Sequence, residues 1–400
     1  MTAFKRFLEK IIHGILMLSS SITTITLILI IVFLFREGLS LFKESPLEKG
    51  DAILTNGLNP VNHLKAEQMK NIFDQNITNW KEIGGTNDSI LLLTINDLDT
   101  YFSTEELGST LEFLPHKLDS LINASPGILA VLPEKYLEKE FSGKKISIDK
   151  NNLPDFVSGK LWFPTAQPVA QLGVLPLILG TLLVSFGAIL IALPIGLATA
   201  IYMAEVADER IRKLLKPMIE LLAGIPSVVY GFFGLIIIVP YIQKIFNLAV
   251  GETALAGSIV LGIMALPTII TVTEDAIRNT PRAMKEASLA LGANRLQTIM
   301  RVILPYSMSG ITAAAILGIG RAMGETMAVL MVTGNAAVIP HTYLQPVRTI
   351  PATIAAELGE ASQGGIHFKA LFALGCILFL MTMGINLWVE YISSKRKFIK

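Results

Sequence analysis

The sequence predicts an α-helical polytopic membrane protein, six transmembrane helices with an inserted α/β domain. Three observations lead there. Hydrophobic residues make up 52% of the chain and charged residues 16%, with a mean hydropathy of +0.57, a composition suited to lipid rather than water. Separate apolar runs each reach the roughly 20 residues a helix needs to cross a bilayer. Between the first two runs lies a long polar stretch, 41–162, in which short apolar runs alternate with amphipathic ones.

The expected spans are Ile11–Phe35, Leu172–Met203, Met218–Phe246, Ala254–Val272, Tyr306–Val332 and Ala370–Ile392. The first follows Lys5, Arg6 and Lys10. It is too long for a signal peptide and lacks a small-residue cleavage site, so it reads as a retained helix covering 1–40. The second and third exceed the minimum length and are expected to tilt, kink or project, with Pro194 and Pro226 as kink points.

Basic residues set the orientation. They crowd the N-terminal leader, the 204–217 connection (Arg210, Arg212, Lys213, Lys216), the 273–305 loop (Arg278, Arg282, Lys285, Arg295, Arg301) and the tail (Lys395, Arg396, Lys397, Lys400). The 247–253 and 333–369 connections carry only Arg348 and Lys369. Both termini and the 273–305 loop are therefore expected in the cytoplasm, and 41–162 outside it. Within that insertion, short apolar runs alternate with amphipathic stretches, as at Ile90-Leu91-Leu92-Leu93-Thr94 and Lys145-Ile146-Ser147-Ile148, and the whole reads as a small α/β domain.

A balanced charge of +1 gives no argument for nucleic acid. The single cysteine, Cys376, excludes a disulfide framework. No Gly-x-x-x-x-Gly-Lys-Ser/Thr loop occurs; Gly143-Lys144-Lys145 lacks both the upstream glycine and the hydroxyl. The chain calls for no cofactor of its own, and if it moves something uphill, another chain supplies the nucleotide chemistry, binding ATP. His13 and His341 lack metal-spaced partners.

The stretch Pro281–Pro305, PRAMKEASLALGANRLQTIMRVILP, organises the rest. Met284–Leu291 is free of Gly and Pro and favours helix, and Gly292 stops it. Small residues at 287, 288 and 290 permit close approach by another surface. Pro305 falls where the next membrane helix is expected to start. The plain alternative is an amphipathic helix lying on the membrane.

Arg321 and Glu325 fall inside the fifth expected span, four residues apart and so on one helical face. A charge at a helix centre costs roughly 2.5–3.5 kcal/mol, so both should face a cavity or a partner. Arg321 offers a planar donor fork to an oxyanion, with Glu325 holding it and preventing a tight trap. The alternatives are a self-satisfied pair or a bridge to a partner subunit. Ser227 and Tyr230, after Gly224-Ile225-Pro226, would either line a pathway or belong to a packed kink. Gly318, Gly320 and Gly324 read as helix-packing residues, and Glu205 as a membrane-edge anchor.

Several of these stretches together resemble a known family. Glu286-Ala287-Ser288, Gly292 and Val302-Ile303-Leu304-Pro305 resemble the cytoplasmic loop signature of ABC-importer permeases, with Ser288 and Val302 as mild departures. Gly173–Leu182, Ala200–Glu205, Glu220–Gly231 and Gly320–Val329 are similar to the phosphate-specific members of the PstC/PstA family, the last being closest to the PstC type. The resemblance covers roughly Trp162–Tyr391 and implies a type I ABC importer permease domain over 163–400. It implies a multi-pass protein of the bacterial inner membrane, not itself an enzyme. Its partners would be a PstA-like permease subunit, two ATPase subunits, an extracytoplasmic phosphate-binding protein, inorganic phosphate and membrane lipid. In that frame Arg321, Glu325, Ser227 and Tyr230 belong to the substrate pathway. Glu286, Ala287, Ser288, Gly292, Leu304 and Pro305 belong to ATPase coupling. Another oxyanion, or a receptor that senses phosphate without transporting it, stays open as an alternative.

The insertion resembles part of the phosphate-binding protein PstS at Asn56–Val61, Leu64–Phe73, Ile77–Gly85 and Ala124–Leu132. The anion-binding Arg of that family is absent, and Gly108-Ser109-Thr110 is a scrambled counterpart of its Ser-Gly-Thr loop. The expectation is one lobe of a two-lobed fold that keeps its framework and lacks its strongest anion donor.

Overall fold

The computed structural model describes residues 3–47, 50–102, 107, 113–137 and 141–397; Gly108-Ser109-Thr110 lies outside them. The chain divides into two compact units. One comprises residues 1–173 and 361–373, the other 174–360 and 374–400. Among the described residues six helices are long and apolar enough to cross a membrane: Ile11–Lys43, Leu175–Val206, Ser227–Phe246, Ala254–Arg278, Arg295–Gly324 and Ile366–Tyr391.

The first unit opens on the helix Ala3–Ser40, whose apolar side chains from Ile11 to Phe33 are largely exposed, as a lipid-facing helix requires. Five strands follow: β1 (Asp51–Thr55), β2 (His63–Leu64), β3 (Leu91–Thr94), β4 (Ile128–Pro133) and β5 (Lys144–Ile148). They form one sheet in the order β2-β5-β1-β4-β3. β1 runs antiparallel to both its neighbours, while β3 is parallel to β4 and β2 to β5. Both faces are covered, which is why β4 is apolar along its whole length. Its Ile128, Ala130 and Leu132 pack with Leu114, Leu118 and Ile122 of the helix Leu114–Ala124. Leu129 and Val131 face the other way, onto Met69, Ile72 and Trp80.

The residues that carry the resemblance to a binding protein build this framework. Asn56 Nδ2 donates to the carbonyls of Ile122 and Asn123, both at 2.9 Å, closing the end of that helix. Asn59 Oδ1 accepts from the Val61 amide at 3.0 Å. Asn79 caps the turn Trp80–Ile83, reciprocated by Glu82. Trp80 is wholly buried and donates Nε1–H to the Gly127 carbonyl at 2.9 Å.

In the second unit, Leu175–Val206 and Ala254–Arg278 lie against each other along their length. Cβ atoms added at Gly187, Gly196 and Gly257 would come within 2.4 Å of Ser258 Oγ, 2.7 Å of Ile269 and 3.1 Å of Val184. Ser258 Oγ also donates across the seam to the Val184 carbonyl at 3.2 Å. Ala254–Arg278 is the most enclosed of the six spans.

Two expected spans are corrected. The third does not begin at Met218: an amphipathic helix, Glu209–Ala223, ends there, the chain breaks at Gly224–Pro226, and the span starts at Ser227. Pro226, with φ −59° and ψ 142°, is thus a break between two helices rather than a kink within one. The fifth starts early, at Arg295, and stops at Gly324. Pro305 lies inside it, just after a π turn at Ile299–Ile303, and Pro240 follows the π turn Gly234–Ile238 in the same way. Each proline lacks the N–H that a carbonyl in the preceding turn would accept, and the widened turn makes room for its ring.

Trp80→Ala removes the largest side chain under the sheet, at a cost of about 3–5 kcal/mol. The expected outcome is rapid protease cleavage within 41–162 of the membrane-embedded full chain while the spans stay protected. Unchanged cleavage would show that the core tolerates the loss.

Candidate functional site

The helices that follow the two breaks pack together. The helix Ser227–Phe233, which follows the first break, packs against Met327–Val332, which follows the second. A Cβ at Gly231 would lie 2.9 Å from Ala328 Cα and 2.8 Å from Met331 Sδ. Interrupted backbone is stable within a bilayer only where protein covers it or where it lines a water-filled cavity.

This geometry corrects the expected relation between Arg321 and Glu325. The helix Leu304–Gly324 ends between them, and Glu325 is extended, at φ −73° and ψ 135°. They do not share a helical face, and among the described residues no ion pair joins them. Arg321 instead occupies the last turn of its helix, where its cation complements the carbonyl end of the dipole. Gly320 and Gly324 beside it meet nothing within 4 Å, whereas Gly318 packs on Ile269. Tyr230, only 6% exposed, donates its hydroxyl to the Leu222 carbonyl at 2.7 Å and so ties the first break closed. Ser227 is the first residue of its helix and is half-buried.

At the Lys/Arg-rich end of the bundle, the organising loop forms the helix Arg282–Ala290, which stops at Gly292 with φ +88°. Glycine adopts that left-handed conformation without the steric cost most side chains incur there. Glu286 and Ala287 are exposed, and Leu291 and Leu296 stand 90% and 68% exposed. Ser288 Oγ is 3.0 Å from Thr298 Oγ1. Leu304 turns inward and packs with Ile219, Ile277 and Ile303, while Pro305 is exposed on the fifth span.

Two features escaped sequence reasoning. Glu274, 1% exposed, accepts from Arg212 Nε at 2.9 Å and has Arg278 and Lys216 at 3.7 and 3.8 Å. Glu205 pairs with Lys285 of the loop helix. The i,i+4 spacings of Arg212 with Lys216 and of Glu274 with Arg278 were a signal that charged faces existed; which face meets which is a tertiary matter.

Residues 192–398 match the family described as the inner membrane component of binding-protein-dependent transport systems. The chain belongs to that family. The permease is 41% identical over 243 residues to a probable ABC transporter permease protein, YqgH, of Bacillus subtilis, covering 61% of this chain and 78% of that one. It is 37% identical over 246 residues to the phosphate transport system permease protein PstC of Mesorhizobium japonicum, covering 57% and 74%. A solved chain of the inward-facing MetNI methionine ABC transporter is 19% identical, with a TM-score of 0.42 over 56% of the permease and 94% of that chain. The six helices of spanning length, the sheet of the insertion and the family match agree with the fold the sequence predicted.

Replacing Glu274 tests its place as an anchor of the Lys/Arg-rich end. Glu274→Ala is expected to cost roughly 1.5–3 kcal/mol, the range for a hydrogen bond to a charged group, because the cations left behind keep access to water. Glu274→Gln, which retains an acceptor for Arg212, should cost less. The apparent Tm of the detergent-solubilised permease reads this order; equal values for all three proteins would refute it.

Proposed function

We propose that this permease is the PstC-type membrane subunit of an ATP-driven importer of inorganic phosphate. The observation that carries the reading is the 37% identity to PstC of Mesorhizobium japonicum over 74% of that protein's length. On this reading a PstA-like permease completes the translocation pathway, two ATPase subunits bind and hydrolyse ATP, and an extracytoplasmic binding protein delivers phosphate. Both termini and the loop helix Arg282–Ala290 face the cytoplasm, and the 41–162 insertion lies outside.

Arg321 is assigned to the pathway. It stands where two interrupted helices meet, with open space at Gly320 and Gly324, and its fork can take two oxygens of a tetrahedral anion. Glu325, on unwound chain beyond the helix end, would keep net attraction weak enough for release. Tyr230 and Ser227 shape the wall of that meeting point, Tyr230 by holding the break. The exposed side chains at Glu286, Ala287, Leu291 and Leu296 form the surface for the ATPase, and Gly292 sets its turn. The insertion, which keeps framework residues and lacks the binding-protein Arg, serves as a scaffold that receives the binding protein.

Arg321→Lys keeps the charge and loses the fork; Arg321→Gln loses both. Uptake of labelled phosphate should fall in the order wild type, Lys, Gln, the last by about ten- to a hundredfold if one charge-assisted bond of ~1.5–3 kcal/mol is lost. Wild-type uptake by both variants would make Arg321 a structural counter-charge. Gly292→Leu forces a side chain into positive φ and alters the exposed turn without any packing clash. Assembly into the membrane should persist while ATP hydrolysis and uptake separate; normal uptake would remove the coupling assignment.

A further inference from the structure

The loop helix Arg282–Ala290 buries none of its side chains, yet it is fastened to two different spans. On one side Lys285 pairs with Glu205, in the π turn Tyr202–Val206 that closes the second span. On the other, Ser288 meets Thr298 at the base of the fifth. Among the described residues no other side chain of this helix makes a hydrogen bond or ion pair. Lys285 and Glu205 are 22% and 14% exposed, so solvent screens their attraction far less than it would a surface pair.

A helix with no fully buried side chain, its Met284 and Leu289 left 38% and 48% exposed, passes on a displacement chiefly through its chain ends and such polar ties. The chain ends lead to the fourth and fifth spans. The second span is reached through Lys285–Glu205 alone among the helix's side-chain bonds. Above Glu205 the second span packs closely on the fourth, at Gly196 on Ile269 and Gly187 on Ser258, so a push delivered at Glu205 adds a second point of force on that pair.

We propose that the Lys285–Glu205 ion pair is a positioning contact that carries movement of the loop helix into the second span, so that ATPase closure reaches the bundle from both sides. This rests on the loop helix being the ATPase-docking element. Neither residue touches the transported ion; both act through the helix they join.

The test uses the assembled importer, both permeases with their ATPases, in proteoliposomes with the binding protein supplied. Glu205→Lys and Lys285→Glu each replace attraction with repulsion, and the double variant restores the pair with its charges exchanged. Each single reversal should raise the ATP hydrolysed per phosphate imported by about threefold or more, and the double should return to within about twofold of wild type, the signature of a direct pairwise coupling. Binding-protein stimulation of ATP hydrolysis should fall and recover in the same pattern, a readout that needs no transported ion. Phosphate import by the unaltered complex tests the functional reading by itself, so the two can fail separately. Should a reversal prevent assembly, Glu205→Gln and Lys285→Gln remove the attraction without adding repulsion, and should shift both readouts in the same direction. Single variants with wild-type ratios, or a double variant no better than the worse single, would overturn the proposal.

Discussion

The seam between Leu175–Val206 and Ala254–Arg278 is the contact on which the membrane unit depends. Lipid gives helices no hydrophobic reason to associate, so closeness of approach and interhelical hydrogen bonds must do it. Here Gly187, Gly196 and Gly257 bring the two backbones together, and Ser258 adds a bond across them. A pair this tight cannot slide. The irregular parts of the bundle can then be built against it: Val260 and Val332 close on Gly234, where the third span widens into a π turn.

Against that rigid seam the interruptions acquire meaning. One break precedes the third span and the other follows the fifth, and the helices beyond them pack together at Gly231 and Ala328. The Tyr230 hydroxyl bonded to Leu222 holds one break in place, and the helix end at Gly324 leaves Arg321 at a carbonyl-rich terminus. An arginine there sits in a favourable dipole field without needing Glu325 as a neighbour. The Lys/Arg-rich end works differently, through polar ties: Glu274 gathers Arg212, Lys216 and Arg278 around one buried carboxylate, and Glu205 holds the loop helix through Lys285.

The insertion follows the ordinary physics of a soluble α/β layer, with one sheet clothed on both faces. Its recognisable residues, Asn56, Asn59, Asn79 and Trp80, all make framework contacts. Each is tied down by a bond within the fold.

Much of this was legible in the chain alone, because the signals were local. Long apolar runs specify spans, since a bilayer admits little else. The loop helix and its stop at Gly292 followed from propensity and from the steric freedom of one residue. The α/β character of the insertion followed from short apolar runs within polar sequence, and the structure places strands at two of them, 91–94 and 144–148. Hydropathy could not mark where spans are interrupted: Met218–Ala223 and Glu325–Val332 are as apolar as their neighbours, and only packing decides whether such residues continue a helix or leave it. Nor does spacing tell which charged face meets which. Glu274 with Arg212, and Glu205 with Lys285, lie far apart in sequence, and each pairing exists because the second and fourth spans, pressed together by their glycines, bring those ends of the chain to the same place.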